Sequence, residues 1–260
     1  MKILTKVIIS VVALLLMAFG VYTYNSKDES KEVKVTQTVS STPQKFLKEN
    51  DIISINVTYP TISGYSKEIT QVNDFIKNEI DKKISSFEND AKESAQADIG
   101  LPKEIKSTVV GSPSVEESNE RYVSVFIGTE WYLRGAAHPA HSIDTYLYDY
   151  KKNSLVKVGD LFKEGSNYLS VLSSLSKEDL FLQFKEGDLG YVYDESFVKE
   201  GTAPTKENFA RILPLKDGLA IYFDEYQVAP YAAGPQQVVI PYTKLRDIIN
   251  PDGVLGMYIK

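Results

Sequence analysis

The stretch "RGAAHPAHSID", Arg134 to Asp144, holds both histidines of the chain three positions apart, with an aspartate three further on. Histidine and carboxylate are ordinary zinc ligands, and imidazole is the side chain best placed for proton transfer near neutral pH. Either chemistry needs the side chains to converge. Residues three apart share a face on a helix, but Gly135 and Pro139 oppose a helix here. On a strand the odd spacing sends His138 and His141 to opposite sides. The helical zinc motif with a glutamate between its histidines is absent. Ser142 stands beside the pair, yet no G-x-S-x-G elbow is present. The expectation is therefore no catalytic residue, no metal ligand and no cofactor. The stretch reads as a compact bend in which imidazole bonds nearby backbone, with His138 fixing the bend or lining a binding surface.

A second stretch has a different character. Tyr226 and Tyr231 flank Ala229, Pro230 and Gly234, a loop whose small residues permit close approach and whose rings bind with little loss of rotamer freedom. The same tyrosines equally suit a core with satisfied hydroxyls, the loop then being a plain strand connection. Tyr191 and Tyr193, beside Asp194 and Glu195, form an aromatic and acidic cluster on an expected loop from Gly187 to Gly201, either a contact site or simply solvated. His138, Tyr191, Tyr193, Tyr226 and Tyr231 are thus the candidate binding residues. Trp131 is expected in the core.

These residues must be held by regular elements, and hydrophobic periodicity indicates which. "DIISINVTYP" alternates and predicts a strand ending at Pro60. Ile69, Val72, Ile76, Ile80, Ile84 and Phe87 recur every three or four residues and predict a long amphipathic helix. "EIKSTVVGSPSVEES", "RYVSVFIGTEWYL" and "IDTYLYDYKKNSLVKVGDLF" read as antiparallel strands, with "KKNS" turning a hairpin between Tyr150 and Leu155. Leu169, Leu172, Leu175 and Leu180 predict a second helix from Ser166 to Phe184, with Ser166 as its cap. "GLAIYFDEYQV" and "QVVIPY" add two strands, and Tyr242 to Ile249 a short final helix. Grouped strands and helices without strict alternation predict an α+β fold, an antiparallel sheet with helices packed on it.

The 260 residues carry 29 Lys and Arg against 35 Asp and Glu, a net charge of −6, so no basic field attracts nucleic acid. Cysteine is absent, which excludes disulfides and thiolate chemistry. Lys2 and Lys6 precede an uncharged apolar run from Val7 to Tyr22. This is either a membrane anchor or a signal peptide cleaved near Ala18 and Gly20; the anchor is preferred because "AFG" is only a passable cleavage site. In both cases the rest is exported, giving a single-pass cell-membrane protein with its C-terminal domain outside, or a secreted one. Residues 25–44 are polar and read as a stalk. The expected organisation is an anchor or signal peptide at 1–24, a stalk at 25–44, a strand–helix unit at 45–118 and an α+β domain at 119–260.

"YLRGAAHPAHSIDTYLYDYKKNSLVKVGDLF" and the later run from Tyr226 to Gly234, "YQVAPYAAG", together resemble the signatures of an exported domain-of-unknown-function family. That family comprises the ectodomain of the anti-sigma-V factor and lysozyme receptor RsiV, and the N-terminal region of PdaC-type peptidoglycan deacetylases. His138 is the histidine that matches the family's turn. The N-terminal strand and helix are similar to the smaller unit accompanying this domain in PdaC-type proteins. The resemblance implies a non-enzymatic exported cell-envelope domain that binds a lysozyme-like cationic protein or a peptidoglycan glycan. The alternative is a cell-wall-acting hydrolase or deacetylase-associated enzyme using His138. About six residues before the apolar run are too few for a sigma-binding domain, and no deacetylase domain follows before Lys260. Neither of those activities is therefore expected to transfer.

Overall fold

The computed structural model describes residues 40–63, 69–97, 100–102, 104–186 and 194–260. The apolar segment at 1–24, most of the expected stalk, and Tyr191 and Tyr193 lie outside these. No helix among the described residues is long and apolar enough to cross a membrane.

A six-stranded sheet is built from β1 (Ser40–Glu49), β2 (Ile53–Ser63), β3 (Ser107–Ser118), β4 (Tyr122–Tyr132), β5 (Ala140–Asp149) and β6 (Ser154–Leu155), in that spatial order. Every neighbouring pair is antiparallel except β2 and β3. The exception follows from α1 (Ile69–Gln96), which joins those two strands: a crossover helix returns the chain to the same end of the sheet and forces a parallel pair. The predicted stripe of α1, Ile69 to Phe87, is buried, continues one turn further to Ala91, and packs with the alternating Ile53, Ile55 and Val57 of β2.

The opposite face of the sheet is covered by a second layer. It contains a three-stranded antiparallel sheet, β7 (Ile212–Pro214), β8 (Gly218–Phe223) and β9 (Gln236–Pro241), together with α2 (Tyr168–Glu186), the short α3 (Glu195–Gly201) and α4 (Tyr242–Leu245). β4 lies between the two cores: Val123, Val125 and Ile127 pack with α1, whereas Tyr122 and Phe126 pack in the other core. Its nearly continuous apolar sequence is the expected mark of a strand covered on both faces. The architecture is α+β.

Several boundaries differ from the sequence reading. β2 runs through Pro60 to Ser63, because β3 pairs with it only as far as Val57 and its partner opposite Pro60 on β1 is Pro43. Proline is tolerated where no neighbouring strand needs its missing N–H. Residues 40–44, expected in the stalk, are the start of β1, a polar edge strand that its own composition does not announce. The expected loop up to Gly201 contains α3, whose first turn is capped by Asp194 accepting from Ser196 N–H. α2 starts at Tyr168, two residues after the expected cap, and the final helix ends at Leu245. The 118/119 boundary falls in the β3–β4 hairpin of one sheet, where Asn119 Oδ1 accepts from Arg121 N and Tyr122 N.

Across this hairpin Arg121 donates from Nε and Nη2 to Asp149, each at 3.0 Å, and Asp149 also accepts from the amides of Lys151 and Lys152. Burial would raise the Asp149 pKa, but the Arg121 and backbone hydrogen bonds outweigh it and hold the carboxyl below its ordinary range. The β5–β6 turn is thereby locked to the neighbouring hairpin.

Candidate functional site

The bend between β4 and β5 begins with Ala136 N–H bonded to Leu133 O, and Gly135 adopts φ 93°, a conformation glycine reaches without strain. His138 is exposed beyond it, and its Nδ1 donates to Pro139 O at 2.8 Å. The same carbonyl accepts from Tyr231 Oη at 2.8 Å. The His138 and Tyr231 rings consequently lie 3.9 Å apart, centre to centre, with a 33° tilt. Tyr226 completes the group at 5.8 Å from Tyr231 and is 53% exposed. It takes φ 63° in a turn that Gln227 braces, with Gln227 Nε2 donating to Gly201 O and Asn208 O, each at 3.1 Å. A Cβ on Gly201 would sit 1.8 Å from Gln227 O, so this close approach requires glycine at the end of α3.

His141 lies on the adjacent strand and is bound more firmly. The β4–β5 register places Glu130 directly opposite, with Nε2 to Glu130 Oε2 at 3.0 Å. Its Nδ1 contacts Glu225 Oε1, and its backbone N–H donates to Glu225 Oε2 at 3.2 Å. A carboxylate accepts, so both contacts are satisfied together when the ring carries a proton on each nitrogen, the imidazolium form. Burial opposes that charge, but the hydrogen bonds to Glu225 and then Glu130 prevail and raise the His141 pKa. One strand residue further along the same face, Ile143 N–H donates to Asp224 Oδ1 at 3.3 Å and Ile143 O accepts from Arg211 Nε at 2.7 Å; Arg211 also pairs with Asp224. Burial raises the Asp224 pKa, partly countered by Arg211. The loop bearing both tyrosines is thus tied to β5 at two successive inward positions.

Beside these contacts a groove of about 540 Å³ runs between the face of β3–β5 turned away from α1 and the start of β9. Glu130 and His141 stand on one wall, Gln236 and Gln237 on the other, and Phe126 and Tyr222, 5.0 Å apart, also line it. An aromatic group next to an amide- and carboxylate-lined groove is suited to a ligand with both apolar C–H faces and hydroxyls.

Of the five candidate binding residues, His138, Tyr226 and Tyr231 are brought together, and Tyr191 and Tyr193 lie outside the described residues. Sequence reasoning passed over His141, which makes the more extensive contacts. Counting back through the hairpin identifies Glu130 as its cross-strand neighbour, but no local signal indicates Glu225, 84 residues away. Asp144 does not join the histidines; it faces the other side of the sheet and pairs with Lys83 Nζ at 2.7 Å.

Residues 47–141 match the family described as deacetylase PdaC, and residues 159–243 the family described as protein of unknown function DUF3298. The chain is 30% identical over 194 residues to the peptidoglycan-N-acetylmuramic acid deacetylase PdaC of Bacillus subtilis strain 168, an alignment covering 75% of this chain and 38% of that protein. The chain therefore spans less than half the length of that relative. The crystal structure of a DUF3298 family member from Bacteroides fragilis overlays with a TM-score of 0.53 at 17% identity, covering 85% of this chain and 96% of that one. One from Pseudomonas aeruginosa PAO1 gives 0.54 at 14%, covering 83% and 95%. At these identities the two structures share the fold alone.

Proposed function

We propose, for a chain that joins a PdaC-family region to a DUF3298 region, a cell-envelope role in which this domain binds the glycan of peptidoglycan without itself transforming it. The observation that carries the reading is the braced ring group of His138, Tyr231 and Tyr226 beside the groove walled by Glu130, Gln236 and Gln237. Sugar C–H faces pack against aromatic faces, and sugar hydroxyls exchange hydrogen bonds with amides and carboxylates. A partly pre-ordered tyrosine pair loses little conformational entropy on binding. The N-terminal apolar run would hold or deliver the domain outside the membrane.

Co-sedimentation of the full chain with purified peptidoglycan tests this. The wild type should pellet, and Tyr226→Ala should weaken binding by roughly tenfold, as expected for an exposed aromatic anchor. Equal pelleting of wild type and Tyr226→Ala would overturn the assignment of the site. Release of acetate or new reducing ends from the pelleted wall, lost in His138→Ala, would establish the enzymatic alternative. Absence of pelleting together with salt-sensitive calorimetric binding of lysozyme would transfer the role to a cationic protein, for which the net charge of −6 supplies attraction.

A further inference from the structure

A second cavity lies on the other side of β4 and β5, under α1, and the glycan reading does not use it. Successive strand residues alternate faces, so Ile127, Thr129 and Trp131 of β4 and Ser142, Asp144 and Tyr146 of β5 line it, while Glu130 and His141 line the groove opposite. Its volume is about 260 Å³. Buried Val57, Ile80, Ile84, Phe87 and Val109 make its apolar interior. The remaining lining carries charge: Lys83 and Asp90 from α1 and Asp144 from β5, two carboxylates against one ammonium. Lys83 is already paired with Asp144, and Asp90 is exposed. Ser142 Oγ is buried there with no hydrogen-bond partner among the described residues.

We propose that this cavity binds a small organic cation with an apolar body: the hydrocarbon enters between α1 and the sheet, and the ammonium rests against Asp90 and Asp144. An apolar cavity of roughly 150 Å³ already admits a benzene ring, so the larger space here takes a ring with a short chain. The excess carboxylate selects positive over negative charge, because an anion would have to displace Asp144 from Lys83 and leave that carboxylate unpaired. Trp131 also lines the cavity, where an indole face would attract the cation. Ser142 Oγ supplies an acceptor for one of its N–H groups.

Trp131 is the only tryptophan in the chain and lines the cavity, so its emission reports occupancy directly. The full chain would be titrated with 2-phenylethylammonium, 2-phenylethanol and 3-phenylpropanoate, each to roughly 10 mM, a range that brackets the affinity of ligands this small. The amine should produce a saturable change, with binding roughly five- to tenfold tighter than the alcohol, and the carboxylate none. Asp90→Asn, at an exposed position, should remove most of the preference for the amine over the alcohol. Ser86→Phe, also exposed and at the lining, should block both the amine and the alcohol while leaving the unfolding transition in place. No saturable emission change with the amine, equal binding of the carboxylate, or an undiminished response in Ser86→Phe would each overturn the proposal. Peptidoglycan co-sedimentation reports the opposite face, so failure here and failure of the glycan reading are separable.

Discussion

The two faces of β4 and β5 are closed in different ways. One is covered by α1, a single helix whose buried residues repeat at regular intervals and meet aliphatic side chains of neighbouring strands. The other is covered by a strand layer and by the loop from Asp224 to Gly234, which is attached through polar contacts between residues 80 or more positions apart. The first is stabilised by apolar area, which is insensitive to pH and graded in its response to substitution. The second has an apolar core of its own, but its tyrosine loop depends on directional pairs, some of which need a carboxylate ionised and all of which need the partner in place.

Substitutions can test that contrast, and the largest effect is expected in the α1 layer. Ile76 is fully buried, and Ile76→Ala should cost about 3 kcal/mol in urea unfolding at any pH between 6 and 9. Because β4 belongs to both cores, Trp131 emission and tyrosine near-ultraviolet circular dichroism should lose signal in one coincident transition. Two separated transitions would show the faces to be independent. Gly201→Ala attacks the polar face through its backbone: the added Cβ meets Gln227 O, and a cost of about 2 kcal/mol with loss of peptidoglycan pelleting is expected. Unchanged pelleting would detach the tyrosine loop from α3.

His141→Gln should have a smaller effect that depends on pH. The folded-state pKa of His141 is raised, so its contribution is fully present below about 6.5, the ordinary histidine value, and disappears as pH rises through the higher folded value. With the ring a third exposed, about 1 kcal/mol is expected at pH 6 after allowance for solvent screening, and almost none at pH 9. A deficit independent of pH would contradict an imidazolium held between Glu130 and Glu225. Smallest of all, Asp194→Ala removes the cap of α3 and should lower the melting temperature by less than the His141 variant does at pH 6, with pelleting preserved.

Legibility in the sequence follows the same division. The α1 stripe, the β3–β4–β5 hairpins and β8 and β9 were visible because each is specified by neighbours along the chain: a period of 3.6, a period of 2, or turn residues at the right place. The edge strand β1 was not visible, since "SSTPQKFLKE" has no apolar alternation and is held by its ladder with β2. The site divides likewise. His138, Tyr226 and Tyr231 stood out through their unusual local settings, whereas the pairing of His141 with Glu225 depends on the fold bringing two remote segments together.

The sequence by itself determined that this chain folds as α+β, with a long amphipathic helix on a largely antiparallel sheet, because periodic burial is a property of consecutive residues. It also determined that Gly135 and Pro139 make a bend at the histidines. Only the tertiary structure decided what the two histidines do. The bend and the strand register send His138 to the tyrosine stack and His141 between two carboxylates, while Asp144 turns away to Lys83. Alternation along β5 could say that neighbours face opposite ways; which groups await them on each side depends on contacts made across the whole chain.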